Sequence, residues 1–144
     1  MDELKTVIKS LPSGKACGLD KVPMEVWKNG TLNEQLLDIC NDLLRNGTAP
    51  DLWRKSCIIP IPKKGDLGQP SNYRGISLTS TAAKIFNKMI LLRIRPEVEK
   101  VLRKNQNGFR PGRNTTTQIL SLRRLIEGIK EKQLTAILLF VDFS

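Results

Sequence analysis

Two short apolar segments near the middle of the chain constrain its fold more than any other feature. Lys55–Pro62 and Tyr73–Leu78 have the length and composition of strands, and the polar loop Lys63–Pro70 lies between them. They predict a β-hairpin with a long, basic loop. Because Pro60 and Pro62 lack a backbone N–H, the first strand is expected at an edge of its sheet.

Sequences with helical periodicity lie on both sides of this hairpin. The predicted helices are Glu3–Leu11, Pro23–Trp27, Leu32–Asn46, Thr81–Leu102 and the segment that follows the capping-box-like Thr115–Gln118. Pro96 is expected to kink or restart the fourth of these helices. The order of helices, hairpin, helices and a final strand predicts an α+β fold, because a regular alternation of strands and helices is missing.

The final strand is predicted from the apolar run Ala136–Val141, and Asp142 follows it directly. A carboxylate beside a buried strand is costly unless a partner compensates its charge, and a metal ion is one common partner. We therefore predict that Asp142 is a metal ligand in an active site. The same reasoning leads us to expect that the chain stops beside that site, within a domain.

The distribution of charge indicates an anionic partner. The net charge is +10, yet residues 1–50 contain six Lys/Arg and seven Asp/Glu, so the excess lies in residues 51–144. A basic segment of this size favours nucleic acid as the partner. The alternative is a solvated surface that keeps the protein soluble.

Histidine and cysteine usage excludes several kinds of site. The chain has no histidine, which removes histidine-based triads and histidine-containing zinc sites. Cys17, Cys40 and Cys57 are widely spaced and predict free, buried or half-buried thiols in a reducing compartment. Neither a signal region nor an apolar stretch of membrane-spanning length is present, so we expect an intracellular protein without membrane association.

Two basic turns contain residues suited to phosphate. Lys63 and Lys64 lie on the hairpin loop and Arg74 lies on the returning strand, so a hairpin gathers three cations at one end. The alternative is a solvated tip that resists edge pairing. In the second turn, Gly108–Asn114, an aromatic residue and two arginines could stack on a base and contact phosphates; they are Phe109, Arg110 and Arg113. The alternative there is a simple helix connection with the aromatic ring in the core.

Six sequence elements, taken in order, resemble those of reverse transcriptases from non-LTR (LINE-type) retrotransposons, with a Jockey-like character. They are Gly18–Asp20 with Val22-Pro23, Ile59–Asp66, Asn72–Leu78, Thr81–Ile90, Gln106–Arg113 and Phe140–Ser144. Gly75 departs from the proline that the family usually has at that place. The resemblance implies a fingers region over residues 1–133 and the first palm strand over residues 134–144.

The resemblance also implies roles for single residues. Asp142 matches the first catalytic aspartate, a ligand of two Mg²⁺ ions. Arg74, together with Lys63 or Lys64, matches the cations that hold the triphosphate of an incoming dNTP, and Lys63 is favoured over Lys64. Phe109, Arg110 and Arg113 would contact the RNA template or the DNA primer.

The sequence lacks a second acidic motif, because none of its aspartates is adjacent to another. We therefore expect the parent protein to be an RNA-directed DNA polymerase and this chain alone to be inactive. Two alternatives stay open: a non-catalytic nucleic-acid-binding remnant of such an element, and a degenerate gene fragment without a selected role.

Overall fold

The computed structural model describes residues 1–142 and divides the chain into two units, Met1–Glu97 and Val98–Ser144. Its elements in chain order are the helices α1 (Asp2–Ser10), α2 (Met24–Asn29) and α3 (Asn33–Asn46), the strands β1 (Ser56–Pro62) and β2 (Tyr73–Thr79), and the helices α4 (Thr81–Val101) and α5 (Thr115–Glu131). Single 3₁₀ turns precede each strand, at Asp51–Trp53 and Pro70–Asn72. The predicted combination of helices and an antiparallel hairpin is confirmed.

Local cap residues set the helix ends that the sequence predicted. Pro23 is the N-cap of α2 in an extended conformation, which suits a residue that cannot donate a backbone hydrogen bond. Gly47 adopts the left-handed conformation (φ +68°) at the end of α3, and its N–H bonds to the carbonyl of Leu43. The C-cap signal at Asn46-Gly47 is therefore confirmed.

The core of the first unit lies among its four helices. Leu4 of α1, Leu36 of α3 and Ile85 of α4 are fully buried, and Trp27 of α2 packs in the same cluster. Burial of one such aliphatic side chain contributes about 1.5–3 kcal/mol. The buried apolar side chains thus lie on the helices, whereas the first strand of the hairpin is exposed along its whole length.

The two strands form an antiparallel sheet in the register that a simple hairpin requires, with Ile59 opposite Ile76. The N–H of Lys63 bonds to the carbonyl of Asn72 over 2.7 Å. Because hydrogen-bonded pairs alternate along such a ladder, the prolines at 60 and 62 occupy positions whose nitrogens face away from β2. The predicted edge position of β1 is confirmed.

Helix α4 continues through Pro96 and does not restart there. Proline removes one intrahelical bond, the one to the carbonyl of Leu92, and Leu92 is exposed, so water can satisfy that carbonyl. Of the two expected effects of Pro96, the restart is therefore wrong, and the kink stays a prediction. No helix among residues 1–142 is long and apolar enough to span a membrane.

The apolar run at residues 136–141 forms no strand in the described part of the chain, which corrects the predicted final strand. Its side chains are exposed, with Ile137 at 93% and Leu139 at 85%. A strand satisfies its backbone only by pairing, and the described strands pair with each other alone. The proposed boundary at residue 134 stays a prediction, and Phe143 and Ser144 lie outside the described residues.

Candidate functional site

The tip of the hairpin places two of the predicted cations on one face. The bond from the Lys63 N–H to the Asn72 carbonyl continues the ladder by one pair, and Arg74 lies opposite Ile61. Side chains alternate between faces along a strand, so Lys63 and Arg74 share a face as diagonal neighbours. Lys64 follows the last pair, and the register assigns it to neither face.

Three hydrogen bonds hold the loop between the strands. The side-chain amide of Asn72 donates to the carbonyl of Asp66 over 2.7 Å, and the N–H of Gly68 donates to the Asp66 carboxylate over 2.9 Å. The hydroxyl of Tyr73 donates to the carbonyl of Leu67 over 3.0 Å. The loop is thus fixed by its own side chains, which gives the cations at its base a defined position.

Both cations on this face are available to a ligand. The ammonium of Lys63 contacts the carbonyl of Ser71 at 3.3 Å, and the guanidinium of Arg74 has no partner among residues 1–142. Arg74 is exposed. A planar fork beside a flexible point charge suits the adjacent phosphates of a polyphosphate better than it suits a single small anion.

A contact that sequence reasoning missed fixes the base of the hairpin. A Cβ added to Gly18 would lie 2.5 Å from the nitrogen of Ser80 and 2.7 Å from the carbonyl oxygen of Thr79, so only glycine fits there. Next to it, the hydroxyl of Ser80 donates to the carboxylate of Asp20 over 2.6 Å. We call this pair of contacts the Gly18–Ser80 latch. It joins the loop before α2 to the junction between β2 and α4.

In the second unit, Arg110 has an internal role. Its guanidinium donates to the Glu99 carboxylate over 2.5 Å and to the carbonyls of Arg103 and Gln106 over 2.9 and 3.3 Å. Its side chain is 12% exposed. These hydrogen bonds to Glu99, Arg103 and Gln106 stabilise the turn. A contact between Arg110 and nucleic acid stays a prediction.

The same turn presents Phe109 to solvent. The ring is completely exposed and its backbone has a φ of +60°, a left-handed conformation that is unfavourable for an aromatic residue. The alternative that Phe109 fills the core is therefore wrong. Arg113 is also exposed and has no side-chain partner within the described chain. The turn thus offers an aromatic face and a free cation beside an anchored arginine.

Asp142 lies in the second unit with an exposed side chain. No group of three or more potential metal-binding side chains occurs among residues 1–142. Mg²⁺ gives up its water reluctantly and is held through one or two carboxylates together with substrate phosphates. The described residues of this chain alone therefore do not form a complete metal site at Asp142.

Comparison with known proteins gives one family match. Residues 61–144 match the family described as "Reverse transcriptase (RNA-dependent DNA polymerase)". This matched part begins at Ile61, so it contains the three cations of the hairpin tip, the turn with Phe109, and Asp142.

Individual relatives cover more of the chain. This chain is 29% identical over 144 residues to the "Transposon TX1 uncharacterized 149 kDa protein" of Xenopus laevis. The alignment covers 99% of this chain and 11% of that protein. The chain is 30% identical over 139 residues to the "Probable RNA-directed DNA polymerase from transposon BS" of Drosophila melanogaster, covering 92% and 15% respectively. The chain thus spans only a small part of the length of these relatives.

Proposed function

Because the chain belongs to the reverse transcriptase family, and within it to the proteins of non-LTR retrotransposons, we propose that it is the nucleotide-gripping part of an RNA-directed DNA polymerase. The observation that supports this function is the shared face of Lys63 and Arg74 at a hairpin tip fixed by its own loop. In this proposal the chain is a fingers region.

The proposed role of these cations follows from their chemistry. The triphosphate of a dNTP carries several negative charges, and charge-assisted hydrogen bonds are about twice as strong as neutral ones. Arg74 would bind two phosphate oxygens with its fork, while Lys63 would neutralise the next phosphate. Lys64 lies beyond the ladder and has a smaller role. Cations on the triphosphate stabilise the charge that develops when pyrophosphate leaves.

The proposed contact with template or primer lies in the turn of the second unit. The exposed ring of Phe109 can stack on a base, and Arg113 can contact a phosphate. Arg110 supports this turn through Glu99. The positive φ of Phe109 strains the backbone, and strained backbone conformations are common at functional sites.

The resemblance implies divalent metal, and Asp142 is the residue that would bind it. When bound, Mg²⁺ would activate the primer hydroxyl and stabilise the leaving group. The sequence contains no pair of adjacent aspartates, and the described residues form no metal cluster. We therefore assign no step through a metal to these 144 residues and propose that they do not extend a primer by themselves. Primer extension on an RNA template above the level of Asp142→Asn would overturn this.

Nucleotide binding tests the proposed function directly. Equilibrium binding of a dNTP is compared among the unmodified chain, Arg74→Gln and Arg54→Gln. Arg54 is an exposed arginine of the first unit outside the hairpin, so it controls for loss of charge. We expect Arg74→Gln to weaken binding at least about tenfold, because it removes the two charge-assisted bonds of the guanidinium fork, and Arg54→Gln to have little effect. Equal affinities for the two variants would contradict the proposal.

The exposed Phe109 also favours a second function, a non-catalytic nucleic-acid-binding module. Binding of single-stranded RNA is measured over a salt series, because each phosphate contact adds to the slope of log affinity against log salt. Arg113→Gln should reduce that slope by about one unit or slightly less. RNA binding without dNTP binding would favour this function over the first.

A further inference from the structure

A cleft in the first unit has no role in the proposed polymerase function. It has a volume of about 520 Å³ and lies where α1, the end of α2 and the start of α3 meet. The residues that line it are Lys5, Ile8, Lys9, Trp27, Lys28, Asn29, Gly30 and Asn33. Three of these side chains are cations, and within the described structure the lining contains no carboxylate.

The charge of this cleft contrasts with the segment that forms it. Residues 1–50 are slightly acidic as a whole, yet three of their six basic residues line this one cleft. Lys5 and Lys9 are one helical turn apart on α1, and neither forms an ion pair with any residue that the structure describes. Lys28 donates to the hydroxyl of Ser13 over 2.8 Å and forms no ion pair with a described residue, although the Glu25 carboxylate is near enough to interact with its charge.

Two buried polar groups in the lining have no hydrogen-bond partner in residues 1–142. They are the indole Nε1–H of Trp27 and the side-chain Oδ1 of Asn33, in residues that are 8% and 6% exposed. A buried group without a partner costs about 1–3 kcal/mol, so such groups are rare in folded proteins. A 180° flip of the Asn33 side-chain amide places Nδ2 where Oδ1 now lies, since the two atoms are assigned from their hydrogen-bond partners. Both side chains then present N–H donors.

The start of α3 adds to the positive potential. Asn33 is the first residue of this 14-residue helix, and the N-cap residue Leu32 has no side chain that could accept from the first turn. The first N–H groups of a helix carry a partial positive charge. Here the N–H of Asn33 already bonds to the carbonyl of Gly30, and Glu34 places a carboxylate in the same turn, so the contribution of this helix end is smaller than that of the lysines. An anion in the cleft would therefore meet the lysines directly, and it would reach the indole N–H, which is shielded from solvent, through a small shift of the Trp27 ring.

We propose that this cleft binds a phosphate-type oxyanion. Phosphate has acceptor atoms on all sides, which matches a lining that offers donors and cations without a carboxylate. The shared chemistry fits a free phosphate and a phosphate of a nucleic-acid backbone equally, and the test below separates these sources. The proposal does not depend on nucleotide binding at the hairpin.

The indole N–H of Trp27 is the reporter for this test. The chain contains two tryptophans, and Trp53→Phe leaves a single indole resonance from the cleft. Inorganic phosphate, and separately a short single-stranded RNA, is titrated into the isotopically labelled full chain. Hydrogen bonding to an anion should move the indole proton resonance downfield in a saturable manner. Movement with phosphate alone indicates a free anion as ligand, whereas movement at much lower RNA concentration indicates the backbone of a nucleic acid.

Matched variants make the result specific to the cleft. The double variant Lys5→Gln/Lys9→Gln should weaken the response about tenfold, the effect of removing two exposed cations from a charge-assisted site. The double variant Lys15→Gln/Lys21→Gln removes the same charge from the same segment outside the cleft and should respond like Trp53→Phe alone. An indole resonance that neither ligand moves, or that moves equally in both double variants, would overturn the proposal. In that event a trapped water would be the partner of these buried groups.

Discussion

Ser80 donates a 2.6 Å hydrogen bond to the carboxylate of Asp20, a residue sixty positions earlier in the chain. Ser80 is 1% exposed, and its hydroxyl also accepts weakly from the N–H of Ala83 in the first turn of α4. One side chain therefore caps a helix and ties it to the loop before α2. Because β2 ends at Thr79, this bond also fixes the base of the hairpin that carries Arg74.

The coupling between Asp20 and Ser80 is measurable as a free energy of unfolding. Ser80→Ala should lower stability by about 1–3 kcal/mol, since it removes a cap and takes the shorter hydrogen bond from the half-buried Asp20 carboxylate, which keeps the 3.4 Å bond from the Val22 N–H. Asp20→Asn should cost less, because an amide oxygen can still accept. Both tryptophans lie in the first unit, so their fluorescence in denaturant reports on this unit. The loss of unfolding free energy in the double variant Asp20→Ala/Ser80→Ala should be smaller than the sum of the losses in Asp20→Ala and Ser80→Ala. Strictly additive losses would show that the bond contributes nothing.

Gly18→Ala should be more damaging than its small change in volume suggests. The new methyl group would lie 2.5 Å from a backbone nitrogen, and backbone atoms cannot move aside as a flexible side chain can. We expect a loss of about 3 kcal/mol, at the upper end of overpacking effects. Gly128→Ala is the matched control, because nothing lies within 4 Å of its added Cβ in α5. That substitution should raise helix stability by about 0.5–1 kcal/mol, measured by circular dichroism. A neutral Gly18→Ala would refute the close approach.

Substitutions at Phe109 should separate stability from RNA binding. Phe109→Gly relieves a φ of +60°, which glycine adopts freely, so thermal stability should not fall. RNA affinity should fall by about 1–3 kcal/mol, the contribution of one stacked base, as measured by fluorescence anisotropy. Phe109→Tyr keeps the ring and should retain most of the affinity. If the glycine variant binds RNA as tightly as the unmodified chain, Phe109 is not a stacking residue.

The three cysteines should react with alkylating reagents in an order set by burial. Cys57 is exposed on β1, Cys17 is partly buried and Cys40 is buried, so the prediction of buried thiols was wrong for Cys57. Burial raises the pKa of the Cys40 thiol to about 11. At neutral pH we expect Cys57 to be alkylated first and Cys40 to react only when the first unit unfolds, as followed by mass spectrometry.

The raised pKa of Cys40 also gives stability a defined pH dependence. The unfolded chain releases this proton near the ordinary thiol pKa, about 8.5, while the folded chain retains it up to about pH 11. Stability is therefore complete below the lower value and decreases as the pH rises between the two. Cys40→Ala should flatten that decrease, and an unchanged slope in this variant would contradict the assignment.

Features that depend on neighbouring residues could be predicted from the sequence. The end of α3 follows from Asn46-Gly47, because glycine alone adopts the required φ without cost. The hairpin follows from two strand-like segments around a polar loop, and the prolines define the free edge. In each case the physical cause lies within a few residues of its effect.

Features that depend on distant residues could not be predicted in this way. The Gly18–Ser80 latch joins positions about sixty residues apart, and neither segment by itself reveals that it contacts the other. The sequence places Arg110 and Arg113 in one turn, and nothing in it reveals that Glu99 accepts from Arg110 and not from Arg113. The run before Asp142 has the composition of a strand, yet pairing is a property of the partner as well as of the segment.

The proposed nucleotide site depends on the face that Lys63 shares with Arg74, and a comparison of Lys63→Gln with Lys64→Gln shows whether that face binds the ligand. The two lysines are adjacent, both are exposed, and their loss changes the net charge equally. Binding of a dNTP to both variants is measured at constant ionic strength by calorimetry. We expect Lys63→Gln to weaken binding about tenfold and Lys64→Gln to change it less than twofold, since only the first lysine lies beside Arg74. Equal losses in the two variants, or a larger loss for Lys64→Gln, would contradict the proposed site.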